Sequence, residues 1–193
     1  MDMKKHDKTL LAALLAMMIG WGCTGKKTQQ QPTESDTMVV EVSTPDSTVY
    51  GVCGEGTSMH ALELVTDEGD TLTYLVDADA EQETVKGGLF AGDRMAVVGY
   101  KGAEGDMVAT CAVNLTTLMG KWTSIDKNFE IQEGGLVESS IKAETRPWTS
   151  WKIHNGQLLL NADTFAIERL GADSLCLENG EGIFVFKRQR QPV

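Results

Sequence analysis

The sequence predicts an all-β protein made of two small β-domains in tandem. The first is a five-stranded barrel or meander, and the second is a small antiparallel up-and-down β-barrel. Three observations predict this. Short apolar runs alternate with polar residues at a period of two, as at Leu62 and Leu64 or at Leu72, Tyr74 and Val76, which is the mark of half-buried strands. The 193 residues include 20 glycines but only 4 prolines, and the glycines fall between apolar runs, where hairpin turns need them. The charge is also unevenly divided. The whole chain carries −11, residues 49–115 carry −9 and residues 116–193 only −1, which points to two units. A hydrophobic fraction of 41% supports a packed core and excludes a disordered chain.

The first domain spans residues 49–115, with strands predicted at 49–53, 59–66, 71–76, 94–100 and 107–114. Turn chemistry separates them, notably Asp67-Glu68-Gly69-Asp70 and Gly102-Ala103-Glu104-Gly105-Asp106. Residues 77–88 have room for one or two helical turns. Three strands, a short helical linker and two strands follow the order of an OB-fold. The stretch Phe90-Ala91-Gly92-Asp93-Arg94-Met95-Ala96-Val97-Val98-Gly99 resembles the fourth-strand entry of OB-like domains.

The second domain spans residues 116–193, with eight short strands predicted at 121–125, 128–132, 136–141, 148–154, 157–161, 164–169, 174–178 and 183–188. Asn155-Gly156, set between Trp151/Ile153 and Leu158/Leu160, is a strong hairpin signal because both turn positions favour positive φ. Every connection is short, so neighbouring strands should be antiparallel, and eight such strands can close and abolish their edges. Gly120-Lys121-Trp122 places Gly-x-Trp at the first strand, and Phe184-Val185-Phe186-Lys187-Arg188 ends the last one on a basic residue. With the Glu133-Gly134-Gly135 turn and the Asn-Gly hairpin, this pattern resembles the short lipocalin-like domains of Bacteroidetes lipoproteins. The resemblance implies barrel closure by Arg188 stacked over Trp122, a contact of about 0.5–2 kcal/mol. The segment 120–188 has 69 residues, under half a full-length lipocalin, and lacks the Thr-Asp-Tyr turn.

Residues 1–22 read as a signal peptide: a basic head at Lys4, Lys5 and Lys8, an apolar run over 10–19 too short to span a bilayer, and a small-residue exit. Gly20-Trp21-Gly22-Cys23 resembles a bacterial lipobox, although Gly20 stands where Leu is usual and Trp21 is bulky. The resemblance implies cleavage before Cys23 and its acylation with palmitate-type chains, each buried methylene adding about 0.8 kcal/mol of membrane affinity. Residues 23–48 then form the lipidated cysteine and a flexible tether, whose stretch 24–37 has no core-forming side chains. No Asp follows Cys23, and an acidic surface-export cluster is absent, so the expected location is the outer membrane, facing the periplasm.

No catalytic constellation is evident. His60 and His154 fall in different domains without a Ser or Cys motif beside them, and both read as structural. The run Asp77, Asp79, Glu81, Glu83 lacks the glycine of a calcium loop and reads as a solvated face. No metal site and no cofactor is expected. The charge of the first domain excludes nucleic acid, which would be repelled. Cys53 and Cys111 fall on the first and last strands of the first domain, where an oxidising compartment would permit a disulfide. Cys176 reads as a lone strand residue. Four triplets, starting at Asp36, Asp46, Asp70 and Asp173, match an Asp-Ser/Thr-apolar pattern of O-glycosylation.

The aromatic residues of the second domain can line a barrel interior or its mouth. Trp148, Trp151, Phe165 and Phe184 are the candidate ligand contacts, and because Trp148 and Trp151 have opposite parity, one of them should face outward. The expected function is a membrane-anchored protein binding a small apolar ligand or an envelope partner. The competing expectation is a structural or interaction lipoprotein whose barrels are filled.

Overall fold

The computed structural model describes residues 45–77, 83–140 and 145–189. The expected signal peptide, Cys23, the expected tether up to residue 44 and part of the acidic run lie outside the described residues. Residues 43–193 form one compact unit holding two barrels.

The first barrel comprises β1 (Val49–Cys53), β2 (Ala61–Thr66), β3 (Thr71–Leu75), β4 (Val85–Lys86), β5 (Arg94–Lys101) and β6 (Met107–Asn114). β1 pairs with β2 and β5, β2 with β3, and β5 with β6, all antiparallel. A parallel contact of β3 with β6 closes the ring, so the first domain is a barrel rather than a meander. Its interior is filled by Leu62, Leu64, Tyr74, Met95, Val97 and Ala112. The helical turns expected over 77–88 do not occur in the described part of that stretch. Val85 and Lys86 instead add to β6 as a short parallel strand. Gly87 and Gly88, both at positive φ, then turn the chain away from any helical path.

The second barrel opens with α1 (Leu115–Leu118), a single helical turn, followed by β7 (Gly120–Thr123), β8 (Asn128–Gln132), β9 (Leu136–Ser139), β10 (Trp151–His154), β11 (Gln157–Leu160), β12 (Asp163–Leu170), β13 (Ser174–Asn179) and β14 (Gly182–Arg188). All pairings are antiparallel, and β14 returns to β7, giving the order β10-β11-β12-β13-β14-β7-β8-β9. Leu136 bridges Ser150, and Val137 N–H donates to Thr149 C=O at 3.0 Å, so the ring is nearly closed. The expected strand over 148–154 begins only at Trp151. The amides of Thr149 and Ser150 donate instead to the Asn161 carboxamide, at 2.9 and 3.1 Å. The β10–β11 hairpin turns on Asn155 and Gly156 at φ 48° and 80°, the double positive-φ turn that Asn-Gly favours.

Closure of the second barrel rests on Arg188. Its guanidinium carbon lies 4.2 Å from the centre of the Trp122 ring. Nη1 donates to Met119 C=O at 2.8 Å, Nε to Ala172 C=O at 2.6 Å, and Nη2 to Thr117 C=O. The far end of Trp122 is also held, Nε1 donating to Leu118 C=O at 2.8 Å. Burial pulls the Arg188 pKa below the ordinary guanidinium value, with Asp173 opposing, and the group stays charged. Gly120 explains the Gly-x-Trp spacing. It sits at φ +121°, and a Cβ there would come within 2.5 Å of Arg188 Nη1.

The two barrels share one interface. Ala96 and Val113, on the outer face of β5 and β6, and Leu115 and Leu118 of α1 belong to the same buried cluster as the interior of the second barrel. Asn114, fully buried, caps α1 by accepting from Thr117 N–H at 2.8 Å, and its amide donates to Asp93 and Gly88.

Arg188→Gln should remove the stacked cation and leave carbonyls short of donors, costing about 2–4 kcal/mol. Gly120→Ala should cost about 1–3 kcal/mol through its backbone conformation and its clash with the guanidinium. In urea unfolding both variants should lower the midpoint without changing the slope. An unchanged midpoint in Arg188→Gln would show that the plug does not stabilise the fold.

Candidate binding cleft

The interior of the second barrel is occupied by its own aromatic side chains. Phe129 meets Trp148 and Phe186 edge-on, each with centroids 5.0 Å apart. Trp148 meets Phe165 at 5.7 Å, and Phe165 meets Phe184 at 5.8 Å, again near perpendicular. Such pairs add about 0.5–1.5 kcal/mol each beyond their area burial. Lys127 Nζ sits 3.9 Å above the Trp148 ring and covers it from outside. Of the four aromatic residues singled out as ligand contacts, the structure therefore brings Trp148, Phe165 and Phe184 together inside the barrel. Trp148 and Phe165 are buried, and Phe184 is half-buried.

Trp151 is placed apart from them. On β10 it shares the face of Ile153 and lies opposite Leu160, so it packs half-buried against the barrel core, with Nε1 donating to Gln132 C=O at 2.7 Å. The expectation that one of Trp148 and Trp151 faces outward fails, because β10 starts at Trp151 and strand parity does not reach Trp148. Its ring lines a cleft of about 720 Å³ between the two barrels. Tyr50 and Val52 of β1, Leu115 and Met119 form the apolar wall across from it. Glycines 92, 134 and 135 keep the lining low, and Arg94 and Lys152 stand at the rim. Tyr50 is fixed across the junction, its hydroxyl donating to Ile153 C=O of β10 at 2.8 Å. Burial raises its pKa, assisted by the charge of Asp46, so the hydroxyl stays protonated near neutral pH. Arg94 is held by a two-pronged ion pair with Asp67, one arm at 2.5 Å.

Tyr50, Val52, Leu115 and Met119 were not singled out from the sequence, because each lies on a strand or turn of ordinary composition. The cleft exists only once the barrels dock. The available signal was the short connection: one helical turn and Met119 join β6 to β7, so the second barrel has to lie against the first.

The residues leading into β1 are bound to the second barrel. Ser47 N–H and Oγ both donate to Asn155 Oδ1 at 2.8 Å, and Asn155 Nδ2 donates to Pro45 C=O at 3.1 Å. Asn155 N–H donates to Thr48 Oγ1 at 2.9 Å, and the Asp46 carboxylate lies 3.1 Å from His154 Nδ1. Residues 45–48, the end of the stretch expected to be a flexible tether, are therefore clasped to the β10–β11 hairpin. Burial acts to raise the Asp46 pKa. Hydrogen bonds from the Thr48 side chain and backbone, Asn155 N–H and His154 outweigh it, and the pKa falls to about 2.

Cys53, Cys111 and Cys176 are free thiols, so Cys53 and Cys111 do not form the disulfide that an oxidising compartment would permit. β5 lies between β1 and β6, and the two side chains point to opposite faces. Cys53 is buried inside the first barrel. Cys111 packs outward against the second, 3.8 Å from Gly156 C=O, and burial raises its pKa. Among the described residues no group of three or more His, Cys, Asp or Glu side chains is placed to hold a metal ion.

A small eight-stranded antiparallel barrel with a Gly-x-Trp entry and an arginine plug defines the class of the second domain. A family model described as lipocalin-like matches residues 114–189, which run from the cap of α1 to the residue after β14. That segment is a lipocalin-like domain. No curated protein and no solved structure matches the chain.

The folded-state pKa of Asp46 lies below the ordinary 3.8, so the clasp stabilises fully above that value and is lost as pH falls toward 2. Asp46→Asn should lower the unfolding midpoint at neutral pH and flatten its decline in this acid range. Parallel acid profiles for the two proteins would show that the clasp contributes nothing.

Proposed function

We propose that the chain is an envelope lipoprotein that binds a small apolar ligand without catalysis, and that the ligand lies against Tyr50 and Trp151 between the barrels. The division of the aromatic residues carries this reading. Trp148, Phe165 and Phe184 satisfy one another inside the barrel, whereas Trp151 and Tyr50 present half-buried rings to an open cleft. A volume of about 720 Å³ suits a drug-sized molecule. The lipocalin-like family of the second barrel supports binding over catalysis. The OB-like reading of the first barrel is supported by its strand order, closed by the parallel contact of β3 with β6. The Cys23 lipobox and the basic, apolar leader support anchoring, at the outer membrane facing the periplasm.

A second reading, an interaction protein acting only through its surface, is favoured by the filled core of the second barrel. Titration with an uncharged naphthalene probe separates the two readings. Trp151→Ala should weaken probe binding about tenfold, equivalent to about 1.4 kcal/mol. Phe165→Ala should leave probe affinity nearly unchanged while lowering stability by about 3–5 kcal/mol. Absence of saturable binding by the parent protein would leave the surface reading. Cys23→Ser should abolish labelling by palmitate and move the protein from the membrane fraction to the soluble one; retention of both label and membrane association would refute the anchor.

A further inference from the structure

β14 is only partly covered on its β7 side. Of its seven residues, only Lys187 and Arg188 pair with β7, opposite Thr123 and Trp122. Beyond Thr123 the chain peels away into a turn closed by Ser124 N–H donating to Lys127 C=O at 2.8 Å. A groove of about 260 Å³ opens between this turn and Ile183–Phe186.

The parity of the strand identifies the bare backbone groups. Arg188 N–H bonds Asp173 C=O on the β13 side, and Gln189 N–H bonds Lys121 C=O on the β7 side. Odd-numbered residues therefore turn their N–H and C=O toward the seam. Ile183 and Val185 present theirs there without a backbone partner among the described residues. The side chains around the seam are apolar and solvated: Ile125 is 99% exposed, Ile183 65% and Val185 60%. A bare strand edge with an apolar face is a template for another strand.

We propose that this seam pairs with the same seam of a second copy, giving a two-fold dimer through antiparallel β14 strands. Two observations favour a second copy. The edge is self-complementary. With Phe184 at the two-fold axis, Ile183 of one protomer faces Val185 of its partner and exchanges both hydrogen bonds with it, and the converse pair does the same. The charge distribution also permits it. The first barrel carries −9 and repels its own copy, whereas the second carries −1 over residues 116–193, so like molecules approach at the second barrel with little repulsion. The contact buries Ile125, Ile183 and Val185 of both protomers and removes the exposed edge.

Sedimentation of the full chain in density-matched detergent, across the micromolar range, tests the dimer together with hydrogen exchange at Ile183 and Val185. A concentration-dependent dimer is expected, with both amides protected as it forms. Ile183→Lys and Val185→Lys leave the backbone intact and should each raise the dimer dissociation constant at least about tenfold. Val185→Pro removes a donor and should act in the same direction. A chain that stays monomeric throughout overturns the proposal, as does a dimer unaffected by either lysine variant. Protection of the seam amides only after lipid vesicles or an added extended peptide are supplied also overturns it, since the seam would then serve another occupant.

Discussion

The guanidinium of Arg188 is the contact on which the rest of the structure depends. It lies at the last residue of β14, yet its donors reach the carbonyls that end α1 and its face covers Trp122 of β7. One side chain therefore ties the end of the lipocalin-like domain to its beginning, and both to the turn that joins the two barrels. An α-helical turn leaves its last carbonyls without intrahelical donors, and a bare indole face at the barrel floor would admit water. The same cation answers both needs. Glycine at position 120 follows from it, since a side chain there would occupy the space of the guanidinium.

From that junction follows the way the barrels share their apolar surface. Leu115 and Leu118 are fixed in place because Asn114 caps the turn from one side and Arg188 from the other. These leucines, with Ala96 and Val113, join the buried cluster of the second barrel to the outer wall of the first. Two small β-domains with limited cores thereby bury a common interface, and the residues leading into β1 are clasped at the same junction through Asn155. Asn155 serves the fold twice, adopting the positive φ of the hairpin and spending its side chain on Ser47 and Pro45.

The strand pattern was legible because it is written locally. Alternation, Asn-Gly and the glycine-rich turns place all eight strands of the second barrel and the five main strands of the first. What was not legible depended on distant groups. Trp148 lies in a stretch that reads as strand, but Asn161 takes the amides of Thr149 and Ser150, so β10 starts later. The thiols of Cys53 and Cys111 fall on the first and last strands of the barrel, but strand order in a closed sheet is set by topology, and β5 intervenes. The cleft escaped for the same reason: Tyr50 and Trp151 are about a hundred residues apart and meet only across the docked barrels.

The shortness of the second barrel bears directly on where it can bind. Most of its strands have four to six residues, and at about 3.3 Å per residue such strands enclose only two or three layers of inward side chains. Phe129, Phe165, Phe186 and Trp148, with the leucines and isoleucines beside them, are large enough to fill those layers. A barrel with longer strands would extend its walls beyond the packed floor and enclose a space above it. Here the chain ends its strands where the packing ends. Under the proposed function, binding therefore falls to surfaces that the barrel wall makes with something else. One such surface is the cleft with the first barrel, where Trp151 opens β10 at the end of the barrel, and another is the uncovered edge of β14. Both arise where a strand of the second barrel extends past its covering neighbour, so the same economy of length that closes the interior leaves the exterior open.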